Sequence, residues 1–280
     1  MVQNIKSVLI GLIKEIGPEE ASSALAYGLS LGKRAGAHVT VQAASVHIAL
    51  SSAWVSDFAA GLVHTENQRL QALAEAAARS AAADAAAAGV VCSTQSPHLA
   101  YPDLIASFRA QARVHDLSIL DAEEEALNVD RGLFDALLLD SGRPVLIVPP
   151  SRTTFSARRI IVAWDGSARA ARAAHDALPF MRAAEAVEVV AVTGEKDLAD
   201  NVDGADLARH LARHGVNVAV NAIRARNGDV AQTLRDHAAL YSADMIVMGG
   251  YVHSRLREMV FGGVTQSLLK LSPVPLFMSY

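Results

Sequence analysis

The sequence predicts an α/β protein of two tandem Rossmann-like (doubly wound) domains, each a five-stranded parallel sheet flanked by helices. Three observations predict it. Continuous apolar runs such as Ile160–Trp164 and Met245–Met248 alternate with helical stretches of roughly 10 to 16 residues, a pattern that demands crossover connections and a sheet covered on both faces. The order of elements then occurs twice along the chain. Each pass closes on a proline-marked apolar strand, PVLIVPP at Pro144–Pro150 and PVPLFMSY at Pro273–Tyr280.

The first pass opens with a strand at Val8–Ile13 and a helix from Pro18 to about Arg34, where proline suits the first helical turn. A strand at Val39–Ala44 follows. After the long span Val46–Gly89 come a strand at Val90–Ser93, a helix at Pro102–Val114, and a strand at Leu117–Leu120 behind Asp116. The second pass reads as strand Ile160–Trp164, helix Ala168–Met181, strand Val187–Val192, a further helix, and strand Val216–Asn221. It continues with helix Asp229–Leu240, strand Met245–Met248 behind Asp244, and helix Val264–Leu271. The polar connector Pro149–Ser156 joins the two, placing the domains at residues 1–150 and 156–280. The Val46–Gly89 span carries Trp54, Phe58 and Leu62 at helical spacing and an alanine-rich run, Ala72–Ala88. It is either a long amphipathic helix over its own sheet or an arm that packs elsewhere.

Composition narrows the function classes. At 280 residues, 51% hydrophobic and 19% charged, the chain buries a sizeable core and is not disordered. A net charge of −4 argues against a general nucleic-acid binder. The charge is uneven: residues 1–150 hold 10 Lys and Arg against 16 Asp and Glu, and the remainder 15 against 13. The more basic half contains a glycine-rich loop, which favours an anionic ligand there. Cys92 is the only cysteine, so neither an intrachain disulfide nor a cysteine zinc cluster forms. No secretory pattern and no apolar stretch near the ~20 residues of a membrane span is present, so a cytoplasmic protein with no membrane partner is expected. HExxH, CxxC, GxSxG and P-loop lysine spacings are missing, so no catalytic residue and no metal ligand is nominated, and ATP hydrolysis is at most weak.

The stretch with most chemical content is Met248–Thr265, MGGYVHSRLREMVFGGVT. A strand empties into Gly249 and Gly250, a polar span follows, and the chain enters a helix at Gly262–Gly263. Glycines admit close backbone approach, and a helix N-terminus offers unpaired N–H groups to an anion. In a parallel α/β sheet ligands bind beyond the carboxyl ends of the strands. Asp165 in VAWDGS ends the first strand of the second pass, and Val192 and Thr193 end the second. Asp165 can accept from an exocyclic amine or ribose hydroxyl, or can serve with Ser167 as a helix cap; the glycines can cradle phosphate or merely punctuate a loop.

These residues resemble the universal stress protein family, and the two passes together resemble a tandem member with a degenerate first domain. The family's loop runs Gly, two residues, Gly, nine residues, Gly, then Ser or Thr. This chain reads Gly249, two residues, Val252, nine residues, Gly262, then Gly263. IIVAWDGS, His253-Ser254, Asp244 and PVPLFM also match. The resemblance implies an adenine-nucleotide-binding regulator of stress response, with ATP or a relative as cofactor and Mg only alongside a triphosphate. Asp165 would meet the adenine region and the backbone at Val192 or Thr193 would flank the base. Gly249 would lie by the ribose, and Gly262, Gly263 and Val264 would direct N–H groups at phosphates.

Two departures matter. Val252 replaces a glycine with a β-branched residue ill suited to positive φ. Gly263 replaces the Ser or Thr hydroxyl, and Thr265 lies two residues too late to stand in directly. Arg255 and Arg257 could supply charge to phosphate or simply face solvent. The alternative function is a partner-binding scaffold without nucleotide. The first pass is further eroded: IKEIG has no aspartate at the matching place, and Asp121-Ala-Glu-Glu-Glu125 is acidic where the family has glycines. The resemblance also makes the last strands sheet edges, so Leu276–Met278 and Leu146–Val148 are expected to pair as an intramolecular pseudo-dimer. Trp54 and Phe58 are candidates for a further homodimer contact.

Overall fold

Aliphatic runs become strands buried on both faces, and alanine-rich segments become the helices that cover them. The computed structural model describes residues 2–13, 22–49, 57–122, 129–150, 152–193, 204–250 and 263–280. Its first half comprises β1 (Ser7–Ile13), α1 (Ser23–Ala35), β2 (His38–Val46), α2 (Asp57–Ala88), β3 (Cys92–Gln95), β4 (His98–Leu99), α3 (Tyr101–Arg113), β5 (Leu117–Asp121), α4 (Val129–Asp140) and β6 (Val145–Val148). The second half comprises β7 (Arg159–Trp164), α5 (Ala168–Asp176), α6 (Leu178–Met181), β8 (Ala186–Thr193), α7 (Gly204–Arg213), β9 (Val218–Arg224), α8 (Val230–Leu240), β10 (Met245–Gly249), α9 (Gly263–Leu271) and β11 (Leu276–Ser279).

The strands form one large, mostly parallel sheet in the order β3-β2-β1-β5-β6-β11-β10-β7-β8-β9, with β4 added beside β2. Within each half the order reverses once, between β1 and β5 and between β7 and β10, and that reversal opens a crevice at the carboxyl ends. The halves join where β11 runs antiparallel to β6, with Leu276 opposite Ile147, Phe277 opposite Leu146 and Met278 opposite Val145. Leu146 and Phe277 are fully buried. An apolar edge that would otherwise invite association is thereby covered within the chain.

Helices coat both faces. One layer buries Tyr27 and Leu31 of α1, Ala81 and Ala85 of α2, Ala173 of α5 and Leu211 of α7. The other buries Phe108 of α3, Leu137 of α4, Leu234 of α8 and Leu268 of α9. In α2 the buried positions Leu70, Ala74, Ala78, Ala81 and Ala85 fall at helical spacing, so only its C-terminal part lies on the sheet. Phe58 and Leu62 near its start are 77% and 57% exposed. Trp54 lies outside the described residues.

The connector is pinned. Ser23 Oγ donates to Pro150 O at 2.7 Å, and the Phe155 N–H donates to Ser30 Oγ at 3.1 Å. Phe155 packs between Tyr27 and Phe180, and Phe180 in turn meets Phe277 at 5.6 Å between ring centres. This buried aromatic row ties α1, the connector, α6 and β11 together.

Several elements differ from the sequence reading. The described part of α1 starts at Ser23, capped by Ser22, whose Oγ accepts from the Leu25 N–H at 2.9 Å; Pro18 lies outside the described residues. The helix expected over Ala168–Met181 is two helices, because Pro179 cannot donate to the carbonyl of His175 and its ring would strike it. β9 runs to Arg224 because an edge strand needs no continuous apolar run. The two-residue β4 was not anticipated.

Candidate functional site

Strand register lines up the two halves residue by residue. Ser7 pairs with His38 and Val8 with Leu117; Arg159 pairs with Ala186 and Ile160 with Met245. Counting along the strands, Ile13 stands where Asp165 stands, Ser45 where Thr193 stands, and Asp121 where Gly249 stands. Asp116 and Asp244 correspond as well. Asp116 Oδ2 accepts from the N–H groups of Lys6 and Ser7, and Asp244 Oδ2 from those of Arg158 and Arg159. Each aspartate holds the start of the first strand of its half, a structural role.

In the second half, β7 delivers half-buried Asp165 to the crevice. Its Oδ1 accepts from the Ser167 N–H at 2.9 Å, across a turn at Gly166 with φ +77°. Ser167 itself caps α5, accepting from the Ala170 N–H at 3.1 Å. Asp165 is therefore not the cap, and its Oδ2 has no partner among the described residues. Val192 and Thr193 close β8 beside it, one strand away. Gly249 closes β10, where a Cβ would lie 2.6 Å from the Ala170 nitrogen. Strand and helix touch there, and only glycine fits. Gly250 donates its N–H to Ser279 O at 2.9 Å, and a Cβ on it would meet Leu138 of α4 at 2.7 Å. Packing against backbone thus demands glycine at 249, whereas a side chain at 250 would require only the tip of Leu138, in the other half of the chain, to shift. At the far side of the loop Gly263 begins α9, with nothing among the described residues within 4 Å of where a Cβ would lie; Val264 is half-buried and Thr265 is buried. Val252, Gly262, Arg255 and Arg257 lie outside the described residues.

The first half sets different groups at the corresponding strand ends. Ile13 offers no acceptor. Asp121, opposite number of Gly249, turns its carboxylate onto the start of α1: Oδ2 accepts from Ser22 Oγ at 2.6 Å and Oδ1 from the Ala24 N–H at 2.7 Å. A carboxylate on a helix N-terminus is stabilised by the unpaired N–H groups and the helix dipole. The sequence signal for this arrangement was present in Ser22 and Asp121 but unreadable without the register. Glu123, Glu124 and Glu125 lie outside the described residues.

Two further features border the second crevice. A cavity of about 340 Å³ opens between α5 and α7, lined by Trp164, Ser167, His175, Asp206, Leu207 and His210 among others. Near its outer end Arg182 ties α6 to the close of α7, donating from Nε to the His214 carbonyl at 2.9 Å and from its terminal nitrogen to His214 Nδ1 at 3.1 Å. Desolvation, then the charges of His210, Arg182 and His175, hold the His214 imidazole below its ordinary value. Among the described residues no helix is long and apolar enough to cross a membrane, and no three His, Cys, Asp or Glu side chains group to hold a metal.

Comparison with known proteins agrees with this geometry. The universal stress protein family matches residues 156–279. A universal stress protein from Archaeoglobus fulgidus DSM 4304 has the same fold over 97% of both chains, at a TM-score of 0.69 and 20% identity. A functionally unassigned protein of Pseudomonas aeruginosa PAO1 matches over 98% of this chain and 92% of its own, at a TM-score of 0.56 and 15% identity. The Stress response protein NhaX of Bacillus subtilis (strain 168) is 42% identical over 48 residues, 17% of this chain and 29% of that protein's length. Residues 156–279 form a domain of the universal stress protein family.

Proposed function

We propose that the chain is a tandem pair of universal stress protein-like domains, residues 1–150 and 156–280, and that the second binds an adenine nucleotide as the sensing step of a stress response. The observation that carries this reading is the half-buried Asp165 at the end of β7, with one carboxylate oxygen engaged by Ser167 and the other without a partner among the described residues. It stands beside the end of β8; from there it would accept from a ribose hydroxyl or adenine amine, with the N-terminus of α9 turned to phosphate. The first domain is then a structural partner, since Asp121 occupies the start of α1 with an anion of its own. Its edge pairing with the second domain constitutes an intramolecular pseudo-dimer. A magnesium ion would accompany only a triphosphate.

A second reading, a partner-binding scaffold without nucleotide, is favoured by Gly249, because packing against the Ala170 backbone accounts for it without a ligand. Equilibrium dialysis of the purified chain against ATP, ADP and AMP, with an assay for co-purified nucleotide, separates the two. Saturable binding of any of the three supports the sensor; none supports the scaffold.

A further inference from the structure

We infer that the first half carries a site for a divalent first-row transition ion, built from His47 and His98 at the carboxyl end of its sheet. His47 Nδ1 and His98 Nε2 face each other at 3.1 Å. Two imidazole nitrogens bound to one ion at about 2.0–2.1 Å lie roughly 2.9 to 3.4 Å apart as the angle opens from square-planar to tetrahedral. The pair thus already has the spacing of two ligands on one ion. Without an ion one proton, on His47 Nδ1, separates the two lone pairs; when the ion enters, His47 changes tautomer, that proton passing through solvent to its exposed Nε2, with no net proton lost.

The arrangement is held by more than chance packing. His98 Nδ1 lies 2.9 Å from the buried Ser45 Oγ. With the Nδ1–H donated to that hydroxyl, Nε2 carries the lone pair a metal needs. Around them the backbone is tied three times. The Ser45 N–H donates to Pro97 O, the His47 N–H donates to Leu99 O at 2.7 Å, and Asn67 of α2 grips both the N–H and the carbonyl of Ile48. β4 itself buries little, since Leu99 is 36% exposed, so its pairing with β2 chiefly places His98 beside Ser45. His47 is exposed, giving an ion a way in. With two protein ligands, the remaining coordination positions fall to water or to a ligand carried by the ion. Imidazole donors suit zinc and copper ions and not magnesium or calcium.

The test uses the full chain without a polyhistidine tag, stripped with chelator and titrated with Zn²⁺ by calorimetry, and with Co²⁺ by its visible absorption. The wild type should take up one equivalent with measurable heat. His47→Ala and His98→Ala should each weaken binding at least tenfold, and Ser45→Ala by about tenfold or more through the lost orienting bond. His210→Ala/His214→Ala, which removes the histidine pair at the end of α7, should leave the titration unchanged. His47 is exposed, so its variant keeps the fold even where His98→Ala does not. If His47→Ala binds Zn²⁺ as the wild type does, or if the His210→Ala/His214→Ala variant loses the equivalent, the assignment is overturned.

Discussion

Phe277 of β11 lies opposite Leu146 of β6, and this antiparallel contact makes the two halves of the chain one sheet. Both residues are buried, and Phe277 also closes the aromatic row that runs through Phe180 and Phe155 to Tyr27. Phe277→Pro removes an N–H donor from a strand interior and about 3 kcal/mol or more of packing and hydrogen bonding. Calorimetric melting should then resolve two transitions in place of one, with an increased hydrodynamic size. A single unchanged transition would show that the seam does not couple the halves.

The phosphate side of the second crevice can be tested by restoring what the family loop has and this chain lacks. Among the described residues nothing lies within 4 Å of a Cβ at Gly263, so Gly263→Ser adds a hydroxyl that meets none of them. Together with Val252→Gly it should tighten ATP binding, each recovered phosphate contact contributing about 0.5 to 3 kcal/mol. Direct titration of the double variant checks this. Unaltered affinity would mean that the loop's ligand is not a triphosphate.

Asp121 should behave as a structural anion. Asp121→Ala leaves Ser22 and the first turn of α1 without their acceptor. The expected loss is about 1 to 3 kcal/mol in chemical denaturation, with no nucleotide site gained in the first half. A variant as stable as the wild type would show that Asp121 is not a structural anion.

The Arg182–His214 tie carries a pH dependence with a definite sign. A histidine whose folded value lies below its unfolded one binds fewer protons when folded, so its contribution is present above the ordinary imidazole value near 6.5 and is lost as pH falls from there through the lower folded value. NMR titration should find His214 below the free imidazole, and Arg182→Ala should move it upward. A His214 value unmoved by that change would deny Arg182 its part.

Most of the secondary structure was legible because buried strands are continuous apolar runs and helices are alanine-rich; Met245–Met248 needed only the addition of Gly249. What stayed hidden depended on register or on single side chains. β4 is too short to have a period, and its reason for existing is a pairing between Ser45 and His98, far apart in sequence. The break at Ala177 was marked by Pro179 but masked by apolar residues on either side. For the candidate site, the motif nominated Asp165 and Gly249, and they stand at the carboxyl ends of β7 and β10. The role of Gly249 as a packing contact with Ala170, and the filling of the matching place by Asp121, follow only from three-dimensional register.

The central claim is that nucleotide binds the second half alone and through Asp165. Titration calorimetry with ATP, ADP and AMP on the intact chain and on Asp165→Ala tests it most directly. The account predicts at most one site per chain for the wild type, and a loss of about tenfold or more in affinity for Asp165→Ala, the worth of one hydrogen bond to a charged group. Two equivalent sites per chain, or an Asp165→Ala variant that binds as tightly as the wild type, would contradict it.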